Sequence, residues 1–143
     1  MKGIHHIGIA VADLEESLAR WVALFGAVPS SIEEIPEGGV RVVHLRFSEG
    51  SMIELLSPLG KGSPVAQFLE KRGEGVQHFT LEVDDIEAAF RELTEAGVQF
   101  ISEKPQLGAG GARVAFIHPK SLNGVLVEIR QGRKPQPPDL QPS

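Results

Sequence analysis

The 143-residue chain has no cysteine. Disulfides, thiolate metal sites and cysteine nucleophiles are therefore excluded, which leaves histidine, aspartate and glutamate as the side chains able to hold a metal. No stretch approaches the roughly 18 consecutive apolar residues of a transmembrane helix. The N-terminus, MKGIHHIGIAV, lacks the long apolar core and cleavage site of a secretory signal. Positive charge is also in deficit: 14 Lys and Arg against 19 Asp and Glu give a net charge of −5. That balance argues against nucleic acid and against an anionic membrane surface as partners. The expectation is a soluble, cytoplasmic protein. Its length fits one globular domain, able to bury about 70% of its extended surface without staples.

What is present is a repeat. Residues 6–18 read HIGIAVADLEESL and residues 78–90 read HFTLEVDDIEAAF. At an offset of 72, His6 meets His78, Val11 meets Val83, Asp13 meets Asp85, Glu15 meets Glu87 and Leu18 meets Phe90. A second echo follows each copy: Glu54, within Ile53-Glu54-Leu55, lies 48 residues after His6, and Glu128, within Val127-Glu128-Ile129, lies 50 after His78. Each half thus carries one His and one Glu at nearly equal spacing. Halves packed about a pseudo-two-fold axis could bring both pairs to one point.

The elements repeat too. Ile4 to Val11 alternates apolar and other residues, as a strand with one apolar face does. Asp13 fits an N-cap with Glu16 three residues on, and Leu14, Leu18, Trp21, Val22 and Phe25 keep helical spacing up to Gly26. A second strand is expected within Ala27 to Ile35, a turn at Pro36-Glu37-Gly38-Gly39, and a hairpin of Val40 to Phe47 with Ser51 to Leu56. The first half reads βαβββ. A short linker helix spans 63–72. The second half repeats the order, with a strand at Val76 to Val83, a helix capped by Asp85 and stopped by Gly97, a weak strand near Phe100, and strands at Ala112 to Ile117 and Gly124 to Arg130. The expected division is a single domain over 1–131, with modules of about 3–58 and 75–131. Residues 132–143 form a proline-rich tail.

Strand parity selects the candidate site. His6 points opposite Ile7, Ile9 and Val11, and Glu54 opposite Ile53 and Leu55. His78 points opposite Phe79 and Leu81, and Glu128 opposite Val127 and Ile129. All four face away from the side that the helices would cover. A solvated face has no reason to repeat the same two residue types at matched places in both halves. Two imidazoles and two carboxylates suit a hard or borderline divalent ion such as Co²⁺, Mn²⁺, Ni²⁺, Zn²⁺ or Fe²⁺, and octahedral geometry would leave two adjacent positions for a bidentate ligand. His5 has the parity of the apolar set and reads as a structural or edge residue. His44 shares a side with Val40 and Val42 and could line the cavity, although a satisfied or solvated role is the expectation. His118 reads as a loop residue. Glu37 sits in the turn before the third strand, where a loop could bring it beside a ligand.

The segments HHIGIAVADLEESLARW, IELLSPLG, GVQHFTLEVDDIEAA and GAGGARVAFIHPKSLNGVLVEI together resemble the vicinal-oxygen-chelate superfamily. The IELLSPLG and HPKSLNGVLVEI blocks resemble its methylmalonyl-CoA epimerase branch. The resemblance covers roughly residues 3 to 131. It implies an α+β fold in which two tandem βαβββ modules form a curved eight-stranded mixed sheet around a metal site, helices on the outer face. It implies metal ligands at His6, Glu54, His78 and Glu128, one divalent ion per site with Co²⁺ favoured, a homodimer, and methylmalonyl-CoA as substrate. The branch's loop glutamate falls on Glu37, in Glu37-Gly38-Gly39-Val40, with Glu34 as the alternative. Glu37 and Glu128 are the implied acid/base pair for moving the α-proton. The alternatives are a lactoylglutathione lyase of the glyoxalase I type and, from another class, a drug-binding resistance protein without a metal.

Overall fold

The first strand, β1 (Gly3–Ala10), leads into α1 (Leu14–Phe25) through a cap encoded locally. The Asp13 carboxylate accepts the Glu16 N–H at 3.0 Å, and Gly26, at φ 67°, closes the helix by donating its N–H to the Val22 carbonyl. The second module repeats the device: β6 (Gly75–Glu82) leads into α3 (Ile86–Glu95), and Asp85 accepts the Ala88 N–H at 3.1 Å. Between them lie β2 (Val28–Pro29), β3 (Glu33–Ile35), β4 (Val40–Arg46), β5 (Met52–Pro58) and the linker helix α2 (Pro64–Arg72). After α3 come β7 (Gln106–Leu107), β8 (Arg113–Ile117) and β9 (Val127–Gln131). This computed structural model describes residues 1–133. The rest of the proline-rich tail lies outside the described residues.

Nine strands form one mixed sheet in the order β2-β4-β5-β1-β6-β9-β8-β7, with β3 also pairing β4. Because β2 and β3 follow one another along the same edge of β4, the strands fill eight positions, as the resemblance implied. The two modules meet at the centre, where β1 and β6 run antiparallel. On either side β5 lies parallel to β1, and β9 lies parallel to β6. Both modules therefore pair within one chain.

Two expectations change at the sheet edges. The strand expected over 27–35 is broken because Ser30 takes over the pairing with a side chain: its N–H donates to the His44 carbonyl, and its hydroxyl, in place of a carbonyl, accepts the His44 N–H at 3.0 Å. The strand expected near Phe100 is a single bridge from Phe100 to Ile117. The edge position falls instead to β7, after a turn in which the Ser102 hydroxyl donates to the Lys104 carbonyl.

The apolar parity sets pack as read. On the outer face α1 covers Val43, Leu45 and Leu55, and α3 covers Ala115, Val127 and Ile129. The linker helix α2 packs elsewhere. Its Val65 joins Ala10, Val42 and Leu56, which share parity with the candidate site, so α2 stoppers one end of the inner face. That leaves the rest of the inner face as a cavity.

The two caps are worth similar amounts because their geometry is similar. Asp13→Ala and Asp85→Ala should each cost about 1 kcal/mol, read as a lower urea midpoint at unchanged slope.

Candidate active site

All four residues selected by parity come together on the inner face, and all are buried, at 3%, 7%, 3% and 8% exposure for His6, Glu54, His78 and Glu128. His6 Nε2 lies 3.6 Å from Glu54 Oε2 and 3.8 Å from Glu128 Oε1. His78 Nε2 lies 3.7 Å from Glu54 Oε1 and 3.8 Å from Glu128 Oε1. These gaps are too long for hydrogen bonds. His78 Nε2 is buried and has no hydrogen-bond partner among the described residues. The ring of His78 fits only because its cross-strand neighbour is glycine: a Cβ on Gly8 would stand 2.1 Å from His78 Cε1.

Each histidine is oriented from behind by the residue before it. The β1–β6 register slips by one residue at His5 and again at Gln77, and these bulges lie at matched places in the repeat. Each slip turns the extra side chain to the inner face beside its neighbour. His5 Nδ1 lies 2.9 Å from His6 Nδ1, and Gln77 Oε1 lies 2.8 Å from His78 Nδ1. An imidazole held at Nδ1 presents Nε2 forward, the usual arrangement behind a metal ligand. The reading of His5 as a member of the apolar set is thus corrected: simple alternation misses the bulge. His44 also reaches the site, its Nε2 3.0 Å from Glu54 Oε2. Thr80 donates to Glu128 Oε1 at 2.6 Å and stands 3.0 Å from His6 Nε2. Thr80 is not singled out by the sequence reading, although it shares the parity of His78; the bulges leave no such signal.

A cavity of 520 Å³ opens over these residues, walled by Val42, Leu56, Val114, Phe116 and Leu126. Glu37, exposed in the turn ahead of β4, lies on its lining. Glu34 sits opposite Arg41 in the β3–β4 register, while its neighbours Glu33 and Ile35 face the cavity. His118 caps the short turn at Pro119–Ser121, where its Nδ1 accepts the Lys120 N–H, a loop role as read.

Burial pushes the His6 imidazole down to about 3, against the opposing pull of Glu54. His78 is lowered by burial too. The carboxylates diverge. Burial pushes both up, but in Glu54 the His44 hydrogen bond and the nearby imidazoles outweigh it and the net shift is downward. In Glu128 burial and the Glu54 charge outweigh Thr80 and Arg130 and raise it to about 8.

These residues fit a divalent cation. Ligand atoms of His6, His78 and Glu128 lie within 4.8 Å of one another. The orphaned Nε2 and the two facing carboxylates are what a cation would satisfy. Because Glu128 holds its proton up to about pH 8 and His6 is already neutral, loading an ion at pH 7 should release close to one proton. Apparent Co²⁺ affinity should rise about tenfold per pH unit and level off above pH 8. Calorimetry in two buffers of different ionisation enthalpy checks both, and uptake without proton release would contradict the charge assignment.

Residues 5–116 match the Glyoxalase/Bleomycin resistance protein/Dioxygenase superfamily. The human mitochondrial methylmalonyl-CoA epimerase is 43% identical over 129 residues, covering 90% of this chain and 73% of that protein. The ethylmalonyl-CoA/methylmalonyl-CoA epimerase of Cereibacter sphaeroides is 44% identical over 130 residues, with coverage of 90% and 96%. Among solved structures, a variant of the Streptomyces coelicolor methylmalonyl-CoA epimerase in complex with 2-nitronate-propionyl-CoA superposes with a TM-score of 0.88 at 34% identity, covering 94% of this chain and 99% of that one. With its duplicated modules and its inward His and Glu pairs, the chain belongs to the glyoxalase/bleomycin resistance protein/dioxygenase superfamily and, within it, to the methylmalonyl-CoA epimerase family.

Proposed function

We propose that the protein interconverts the (2R) and (2S) epimers of methylmalonyl-CoA by taking the α-proton from one face and returning a proton to the other. The observation that carries this is the cavity with two His-Glu pairs at its floor and an exposed glutamate at its mouth, in a chain over 40% identical to epimerases. Neither the glyoxalase I reading nor the resistance-protein reading is favoured. The named relatives are epimerases, and a metal-free binder has no use for four buried metal-ligating side chains.

The α-carbon of this substrate lies between a thioester and a carboxylate, so losing its proton gives an enolate with charge on the thioester oxygen. A divalent ion held by His6, Glu54, His78 and Glu128 would supply Lewis-acid stabilisation of that charge; Co²⁺ is our choice among the ions that suit this donor set. The chain's own residues do the rest. Inversion needs two acid/base groups on opposite sides of the α-carbon. We assign Glu37, at the mouth, to one face and Glu128, at the floor, to the other. Glu128 stands on the cavity floor beside both imidazoles, with Thr80 donating to one of its oxygens at 2.6 Å. The apolar walls limit water around the developing charge, which strengthens its interaction with the groups that hold it.

The functional unit we propose is the pair of modules, 3–58 and 75–131, in a cytoplasmic homodimer. No helix among the described residues is long and apolar enough to cross a membrane. In support of a dimer, Ile4, Ile7 and Val76 of the central strands β1 and β6 are exposed at 65%, 40% and 64% on the face opposite the cavity. Light scattering should give twice the chain mass, and a monomer at micromolar concentration would remove that part of the reading.

Single-epimer methylmalonyl-CoA in D₂O with Co²⁺-loaded protein should gain deuterium at the α-carbon as it epimerises. Glu37→Gln should keep Co²⁺ binding, lose epimerisation by about 10²–10⁴-fold, and retain exchange on one face only. Exchange absent in the unaltered protein would sink the function. Exchange on both faces in Glu37→Gln would sink the Glu37 role alone.

A further inference from the structure

The two modules present the same His and Glu, but not the same neighbours. His44 on β4 and Phe116 on β8 are 72 residues apart and occupy matching places. His44 pairs across the strands with Glu54, and Phe116 pairs with Glu128. The match ends there. His44 Nε2 reaches Glu54 Oε2 at 3.0 Å, whereas Phe116 offers no donor and sets its ring edge-on to His78, centroids 5.6 Å apart. Gly8 and Thr80 differ in the same way: Gly8 makes room for His78, while Thr80 supplies the hydroxyl to Glu128.

We propose that His44 is a positioning residue, which locks the Glu54 carboxylate toward His6 and His78 and leaves Glu128 as the carboxylate that can turn between ion and substrate. The inference rests on reading the four buried residues as metal ligands. An ionised carboxylate only accepts hydrogen bonds, so His44 must present Nε2–H to it. The backbone behind that ring is itself pinned at both groups. Ser30 donates to the His44 carbonyl at 2.8 Å and accepts the His44 N–H at 3.0 Å. The ring then stands edge-on to His6, centroids 5.4 Å apart. With Glu54 Oε2 tied to His44, Oε1 is directed at His78 Nε2, 3.7 Å away. Glu128 is held by a different kind of group. The Thr80 hydroxyl rotates about its C–O bond and can re-aim its proton as a carboxylate swings, whereas the His44 N–H is fixed in the plane of its ring. Glu128 can therefore serve as both ligand and acid/base group.

The test compares His44→Phe, which installs the residue found at the matching place in the second module, with His44→Gln, which keeps an N–H donor. His44 lines the cavity and belongs to none of the hydrophobic clusters, so both variants should fold, checked by circular dichroism. Co²⁺ affinity by calorimetry should fall about tenfold or more in His44→Phe and be largely restored in His44→Gln. The visible absorption of bound Co²⁺ should change only in His44→Phe, as Glu54 leaves its place. With saturating Co²⁺, kcat should fall in His44→Phe while KM stays close to that of the unaltered protein. Equal Co²⁺ affinity and spectrum in all three proteins would overturn the role of His44, as would equal losses in both variants. If the unaltered protein takes up no Co²⁺, the ligand reading falls first and the His44 inference falls with it.

Discussion

Along the seam between β1 and β6, the backbone of one module presses against the functional side chain of the other. Gly8 lies opposite His78, with no space for even a methyl group between them. The β1–β6 ladder sets the spacing of the modules, and the glycine leaves room within it for the two histidines, whose ring centroids are 5.5 Å apart. The parallel neighbours β5 and β9 then bring Glu54 and Glu128 in from either side. No residue in this arrangement acts through its place in sequence. Each acts through its register on a central pair of strands, so a slip of one residue at the seam would turn one histidine to the outer face and part it from the other.

The same seam creates an electrostatic problem. Two carboxylates buried within reach of two neutral imidazoles cannot both stay charged without a cation between them. The structure divides the burden unequally. Glu54 is stabilised as an anion by His44, and Glu128 is driven toward its protonated form by burial and by Glu54 itself. A divalent ion removes the conflict, and in doing so it couples ligand geometry to protonation. For a reaction that moves one proton off a carbon and another back, that coupling is useful. The group most sensitive to charge nearby is also the group closest to exchanging its proton.

Much of this was legible in the sequence because the relevant signals are local or periodic. Asp13 and Asp85 cap helices through contacts three residues long, and a period of two on β1, β5, β6 and β9 separates the core from the inner face. The failures have one cause, a dependence on pairing. His5 reads as apolar only when alternation is counted through a bulge that exists where β1 meets β6. The edge strands were misplaced because Ser30 and Ser102 redirect the backbone with side-chain hydrogen bonds that leave no periodic trace. The contact of His44 with Glu54 was accessible in principle. With the β4–β5 turn closed by Phe47 and Ser51, counting outward along the hairpin puts 44 opposite 54, but a histidine that shares its side with valines gives no sign of what it touches until that register is drawn.

Duplication explains how the site arose in the fold, and departure from duplication explains how it can work. Two identical halves would yield two equivalent carboxylates and no reason for one to hold a metal while the other moves a proton. The substrate is itself unsymmetrical, with a thioester on one side of the reacting carbon and a carboxylate on the other. A symmetric site would have to bind it in two orientations of equal energy. The substitutions that break the repeat flank the four buried His and Glu side chains, at His44 against Phe116 and at Gly8 against Thr80. There they change the surroundings of the two carboxylates without changing the repeated His and Glu. The donors that hold an ion can stay paired by symmetry while the residues flanking them assign each carboxylate its task.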